Sequence, residues 1–574
     1  VRFLRRTSSG LVLAGLLTAA IPCSSAWAAK APEQPVTLDP LSAFVAGKVA
    51  QGAGDWTAAA DFLALSLKSD PDDLTLLRRA VLINVGLGRT KVALPLAKRL
   101  VAAKDGNPVA LTLLAADAVA AGDEAGALAA IDALPKDGLG TFMRPLVTAW
   151  IKARKSDWPA AKAALEPLEA QAPFRAMAAL HAALIEDLAG HEDAARTWYA
   201  QAGDGGQVLR VAMLRANFEM RTGHPDQAQA ALAAVLQADP RGPMGDAARA
   251  VLAKPHPTRV VANATEGLAE ALFDVAAAIN QEKVAEVALL YARLALHLDP
   301  SLAPARMLAG ETLSEMDRDA EAAAEYTSVV TELGMKTGEK ADVGLLWAAR
   351  LRLADTLARQ NKSQEAVTIL KAMAAERPDR SDALVRLGDL LRVGQKLPDA
   401  LAAYNQAIER LGGRPNGGDW FLYYARAMVQ DQMGRWPEAE SDLLRALQLQ
   451  PNQPGVLNYL GYAWSERGVK LDQARQLLEQ AVKLRPNDGA IIDSLGWVKY
   501  RAGDIPGAVD LLERAAELKS RDPAINDHLG DAYWAIGRRL EAHYQWQRAV
   551  RENPEDTLKA TLEEKLKRDP TAAK

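Results

Sequence analysis

The residues that could do chemistry are few and stand apart. Seven histidines (His181, His191, His224, His256, His297, His528 and His543) are scattered along 574 residues. No HExxH pair or CxxC motif joins them into a metal site. His191 and Glu192 adjoin, but they fall between two helical runs, where solvent exposure accounts for them. Segment 334–340 (GMKTGEK) has the residue types of a phosphate loop. It lacks that loop's spacing, its following Ser/Thr and a preceding strand. Ser494 has no nucleophile elbow around it. Cys23 is the single cysteine, so no intrachain disulfide can form. This inventory points to a non-catalytic protein, with no cofactor and no metal expected.

What the chain does repeat is a structural unit. Over residues 457–554 one pattern occurs three times: LNYLGYAWSERG, IIDSLGWVKYRAG and INDHLGDAYWAIG, each followed by a second apolar run. Gly461, Gly496 and Gly530 lie 35 and 34 residues apart, and Gly468, Gly503 and Gly537 keep that step. Ala474, Ala508 and Ala542, then Ala481, Ala515 and Ala549, recur every 34 residues. Each copy carries two runs of helical period split by a glycine-centred turn, so each is a helix–turn–helix pair. Small residues at the fixed offsets let the two helices approach closely. Pro451, Pro486 and Pro554 follow second helices and stop them. One pair cannot bury its own apolar face, so neighbours must stack.

A period of 34 with these small residues resembles the tetratricopeptide repeat family. The alanine that opens each second helix can be traced back through Ala439, Ala400, Ala366, Ala322, Ala288, Ala228, Ala195, Ala161, Ala127, Ala93 and Ala59. Gly54, Gly88, Gly122, Gly190, Gly223 and Gly434 each stand five residues before one of them. The resemblance, over about residues 41–554, implies an all-α, right-handed superhelical solenoid. It would hold about fourteen helix pairs and close with a C-terminal capping helix.

Three longer steps interrupt the array. The first holds AKPHPTRVVANATEG, where Pro255 and Pro257 disfavour a helix. It is expected to be a linker, 254–263, hinging a degenerate block 41–253 to a second block 264–556. The other two, MKTGEKADVG and LGGRPNGGDW, are expected loops. Residues 557–574 supply the capping helix and tail. The array leaves no room for an added enzyme domain.

Family geometry further implies that first helices line the concave side. In the clean copies this places Asn458, Tyr462, Asp493, Trp497, Tyr500, Asp527, Asp531 and Trp534 inward, as partner-binding residues. The aromatics either anchor a peptide or pack between adjacent pairs, and the aspartates are expected to be exposed. The family's best-known groove holds a peptide carboxylate with Lys and Asn at such positions. Asp493 and Asp527 stand at the fifth position instead, which disfavours that ligand.

Residues 1–28 read as a secretory signal, with Arg2, Arg5 and Arg6, an apolar run, and Ala26-Trp27-Ala28 as cleavage site. An extended leader, 29–40, follows. Pro22 before Cys23 argues against lipidation of that cysteine, so a periplasmic protein is expected, with an outer-membrane lipoprotein as the alternative. Losing three arginines and no acids moves the formal charge from −4 to −7, which does not favour nucleic-acid binding. A chain built almost wholly of such repeats resembles, more narrowly, the bacterial envelope adaptors that partner a carboxy-terminal processing protease. That resemblance implies protein or peptide clients, among them cell-wall hydrolases and the protease itself. A second role compatible with the fold is assembly of exopolysaccharide-export or outer-membrane machinery.

Overall fold

The computed structural model describes residues 39–203, 209–240, 242–254, 257–335, 342–413 and 415–568. The expected signal, Cys23 and nearly all of the leader lie outside the described residues. From residue 40 onward the described residues are mainly a succession of helix pairs. Asp488, Asp504 and Asp522 cap successive helices by accepting from the backbone N–H groups of Ala490, Gly507 and Ala524. Pro454 and Pro523 occupy first helical positions, where no partner for a backbone N–H is needed.

The turn between paired helices is left-handed at one residue throughout. Gly503 and Gly537 take φ 87° and 84° there. Where the sequence has no glycine five residues before the alanine, other residues adopt the same conformation: Lys283, Asn361 and Gln395 have φ 63°, 62° and 57°. The turn is therefore set by stacking of the pair and endures at non-glycine residues despite their steric cost. In the pair beginning at Pro454 the turn is one residue longer, with Gly468 and Lys470 both left-handed, which accounts for its 35-residue step.

Glycine at the eighth position has a second role. A Cβ built on Gly388 would stand 2.6 Å from the Tyr404 ring, on Gly310 2.6 Å from Tyr326, and on Gly530 2.3 Å from Trp546. The first helix thus leaves room for a large side chain from the second, and the pair closes over it. Successive first helices also pack directly, as Pro454–Glu466 does on Gly489–Arg501 and that helix on Pro523–Ala535. Among the described residues no successive second helices pack to a comparable degree. First helices therefore line the tighter side of the curve.

The expected linker coincides with a break between helices Pro243–Leu252 and Ala264–Gln281. The packing around it differs from a free hinge. Ala285–Leu298 lies against the first helices Leu74–Gly86 and Pro108–Ala121, and Ala264–Gln281 lies against Gly140–Arg154 and Arg175–Ala189. The second segment thus fills the first-helix face of the first. Arg293 Nε donates to the Gly86 carbonyl at 3.2 Å and its Nη1 meets Glu325 at 2.7 Å. Arg210 clasps both oxygens of Glu270 at 2.7 and 2.8 Å, and Arg318 lies 4.1 Å over the Trp56 ring. Pro243–Leu252, which has no partner in a pair, packs on Val343–Arg359, and its Asp246 meets Arg377 and Arg380. One apolar core runs from Trp56 to Val429 across the linker. A second cluster takes over from Ala427 onward, so the change of core falls at helix Trp420–Gln432. Asp556–Leu566 follows the pair Pro523–Ala535 and Arg539–Arg551, packs on Arg539–Arg551 and buries its own Leu562.

Candidate functional site

The eight residues read as partner-binding all lie on the first helices Pro454–Glu466, Gly489–Arg501 and Pro523–Ala535. Stacking brings them into contact with neighbours that the linear pattern does not pair. Asp493, expected to be exposed, is 6 % exposed. The Nδ1 of His528, on the next first helix, stands 3.0 Å from each of its oxygens. Burial works against a charged His528, but the charge and hydrogen bond of Asp493, with Asp527 and Asp531 behind, hold its pKa above the ordinary imidazole value.

Trp497 is stacked on by two rings. His528 stacks on it at 4.1 Å between ring centroids, Tyr500 stacks at 5.0 Å, and the indole N–H donates to Glu466. This is the inter-pair packing arrangement, which leaves the ring half-buried. Tyr500 and Tyr462 are also half-buried, and burial raises the pKa of both hydroxyls.

Asp527, likewise expected to be exposed, is buried, and together with Asp531 it receives an intramolecular cation. Lys565 Nζ, from the terminal helix, stands 2.6 Å from Asp527 Oδ1 and 2.7 Å from Asp531 Oδ2. Burial pushes the Asp527 carboxyl above the usual carboxylate range while Lys565 opposes the shift. Trp534 packs 5.5 Å from the fully buried Trp546, with Arg539 and Arg568 at 5.3 and 5.7 Å from its ring. Asn458 is half-buried, and its Oδ1 has no hydrogen-bond partner among the described residues. The aspartates thus neutralise cations of the following helix, a pairing across repeats that a single-repeat position does not contain.

The face extends further than the three clean copies. Trp420 and Tyr424 stand 6.2 Å apart, and Tyr424 meets Tyr459 edge-on at 5.9 Å. Tyr459 donates its hydroxyl to Asp431 at 2.9 Å, and Phe421 is 41 % exposed. Sequence reading missed these residues, together with Glu466, His528 and Lys565. The period held a partial signal, since His528 follows Asp493 by one repeat and one residue. Nothing in the order of residues ties Lys565 to Asp527. Among the described residues no group of His, Cys, Asp or Glu could hold a metal ion. No described helix is long and apolar enough to cross a membrane.

Such an arrangement of stacked helix pairs, with aromatics and carboxylates along the first-helix face, defines a helical-repeat solenoid of the kind that binds other chains. Residues 351–415, 424–489, 467–523 and 494–557 match the family model for the tetratricopeptide repeat. The chain belongs to that family through this stretch. It is 30 % identical over 161 residues to TPR repeat-containing protein PA4667 of Pseudomonas aeruginosa, covering 28 % of this chain and 26 % of that protein. It is 42 % identical over 84 residues to bacteriophage adsorption protein A of Escherichia coli, covering 15 % of this chain and 8 % of that protein. The chain thus spans about a quarter or less of the length of these curated relatives. Among solved structures, the APC/C hetero-tetramer Cut9–Hcn1 aligns with 92 % of this chain and 96 % of its own at 16 % identity and a TM-score of 0.39. Yeast Tom70 aligns with 92 % and 95 % at 12 % identity and a TM-score of 0.34.

Proposed function

We propose that this chain is a non-catalytic scaffold that binds protein or peptide clients along the first-helix face of residues 382–535. Tetratricopeptide repeats in general are protein-interaction modules. One observation carries the choice of face. The corresponding face of residues 74–189 is filled by the chain's own helices Ala264–Gln281 and Ala285–Leu298, whereas the first helices from Asp382–Val393 to Pro523–Ala535 pack on their sequence neighbours. Half-exposed aromatics such as Phe421 and Tyr462 supply area for an anchor, and polar groups beside them fix register.

The setting we propose is the bacterial periplasm, with cell-wall hydrolases as clients presented to a processing protease. What supports it is the signal-like pattern of residues 1–28 and the narrower family resemblance of the repeats. Site-specific photo-crosslinking tests the face. A benzoylphenylalanine in place of Tyr462 should crosslink clients in envelope extract, and one in place of Asn84, on the covered face, should not. Equal labelling at both positions would refute the assignment. Release of the full chain with the periplasmic fraction tests the location, and retention in the cytoplasm would overturn it.

A further inference from the structure

We propose that the terminal helix Asp556–Leu566 is a resident ligand of this face, holding a lysine-accepting subsite that a lysine-bearing segment of a client takes over. The inference rests on the scaffold reading above. Carboxylates along the face are handed from one first helix to the next: Asp431 to Tyr459, and Asp493 to His528. Beyond the pair Pro523–Ala535 and Arg539–Arg551, Asp527 and Asp531 receive Lys565 from helix Asp556–Leu566, which has no paired second helix among the described residues.

The chemistry of the subsite is specific. Two carboxylates 2.6 and 2.7 Å from one ammonium, whose side chain is 12 % exposed, match a compact cation that reaches both. Aromatic faces complete it: Lys565 Nζ lies 5.9 Å from the Trp546 ring centre, and Arg568 lies 5.7 Å from both Trp534 and Trp546. Removal of Lys565 leaves two partly buried carboxylates without a cation, a state that an anionic or neutral segment cannot relieve. Glu563 and Glu564 of the same helix are exposed, as is Lys559, whereas Lys565 is turned to the groove.

The helix is also built to leave. Leu562 is its one fully buried residue, with Leu558 and Leu566 partly buried against the same core, whereas the preceding helix Arg539–Arg551 buries Ala542, Trp546 and Ala549. Among the described residues it packs chiefly on that one helix. Elements held by so few buried contacts open at a fraction of the global free energy, and no helix pair is broken when this one moves.

Exchange in trans tests the inference. The probe is a fluorescent peptide of residues 553–568, titrated by anisotropy into the full chain. Lys565→Gln and Leu562→Ser, made separately, each loosen the resident helix and should bind the probe at least tenfold more tightly than the parent. Replacing the probe's own lysine at the position of Lys565 by glutamine should abolish that gain. So should adding Asp527→Asn and Asp531→Asn to either variant. Thermal melts of each variant, followed by circular dichroism, establish that the pairs remain folded. Equal affinity of parent and loosened chains, or a gain that survives loss of both carboxylates, overturns the proposal. Tyr462 lies outside the subsite, so client crosslinking there with no probe exchange would sink this inference alone. Loss of crosslinking there would sink the scaffold reading.

Discussion

Trp497 shows why an aromatic at an inward-facing position is not automatically a ligand anchor. His528 and Tyr500 both stack on its ring, and its N–H is bonded to Glu466. Trp497→Ala should cost about 2–3 kcal/mol in chemical denaturation, toward the low end for buried aromatics because the ring is half-buried. A variant with unchanged stability would show that the stack contributes nothing. The partner of that stack titrates. The His528 pKa is raised in the folded state, chiefly by Asp493 against the effect of burial. Its contribution is therefore complete below the ordinary imidazole value of about 6.5 and is lost as pH rises through the higher folded value. The denaturation midpoint should fall between pH 6 and pH 9 more steeply in the parent than in His528→Gln. Identical slopes would refute the coupling.

At the level of the helix pair, the close approach of the two helices depends on one missing side chain. Gly388→Ala drives a methyl into the Tyr404 ring and should cost about 1–2 kcal/mol, overpacking outweighing the better helix propensity of alanine. The turn offers the opposite outcome. Gln395 is held at φ 57°, so Gln395→Gly should stabilise by about 0.5–1 kcal/mol, relief of left-handed strain exceeding the added freedom of the unfolded chain. Urea titration checks both, and the two variants should move in opposite directions.

Over the whole molecule, perturbations should travel along the core. A Cβ on Gly267 would stand 2.1 Å from the Trp150 ring, so Gly267→Val presses Ala264–Gln281 away from Gly140–Arg154. Hydrogen exchange should rise in both helices together. A rise confined to residues after 264 would restore a free hinge at the linker. Ala508→Leu, by contrast, lies in the cluster that begins with Ile492 and ends with Leu562. It should cost about 1–3 kcal/mol, with lost protection near residues 455–555 and little change before residue 250.

The repeat itself was legible in the sequence, because its causes are local. Apolar period, glycine at the turn and small residues at the helix contact recur at fixed offsets, so the helix pairs could be read from residue order. Lys283, Asn361 and Gln395 hid some turns, since their left-handed conformation is imposed by stacking of the pair and not by residue type. What the order of residues could not carry was anything depending on curvature. Whether Asp493 meets solvent or His528, whether Asp527 is free or holds Lys565, and whether residues 264–298 swing clear or fill the face of residues 74–189 all follow from small rotations accumulated over many pairs. Those rotations bring together residues separated by one repeat or by six. Only the tertiary structure decided them, and with them which part of the face is left uncovered by the chain's own helices.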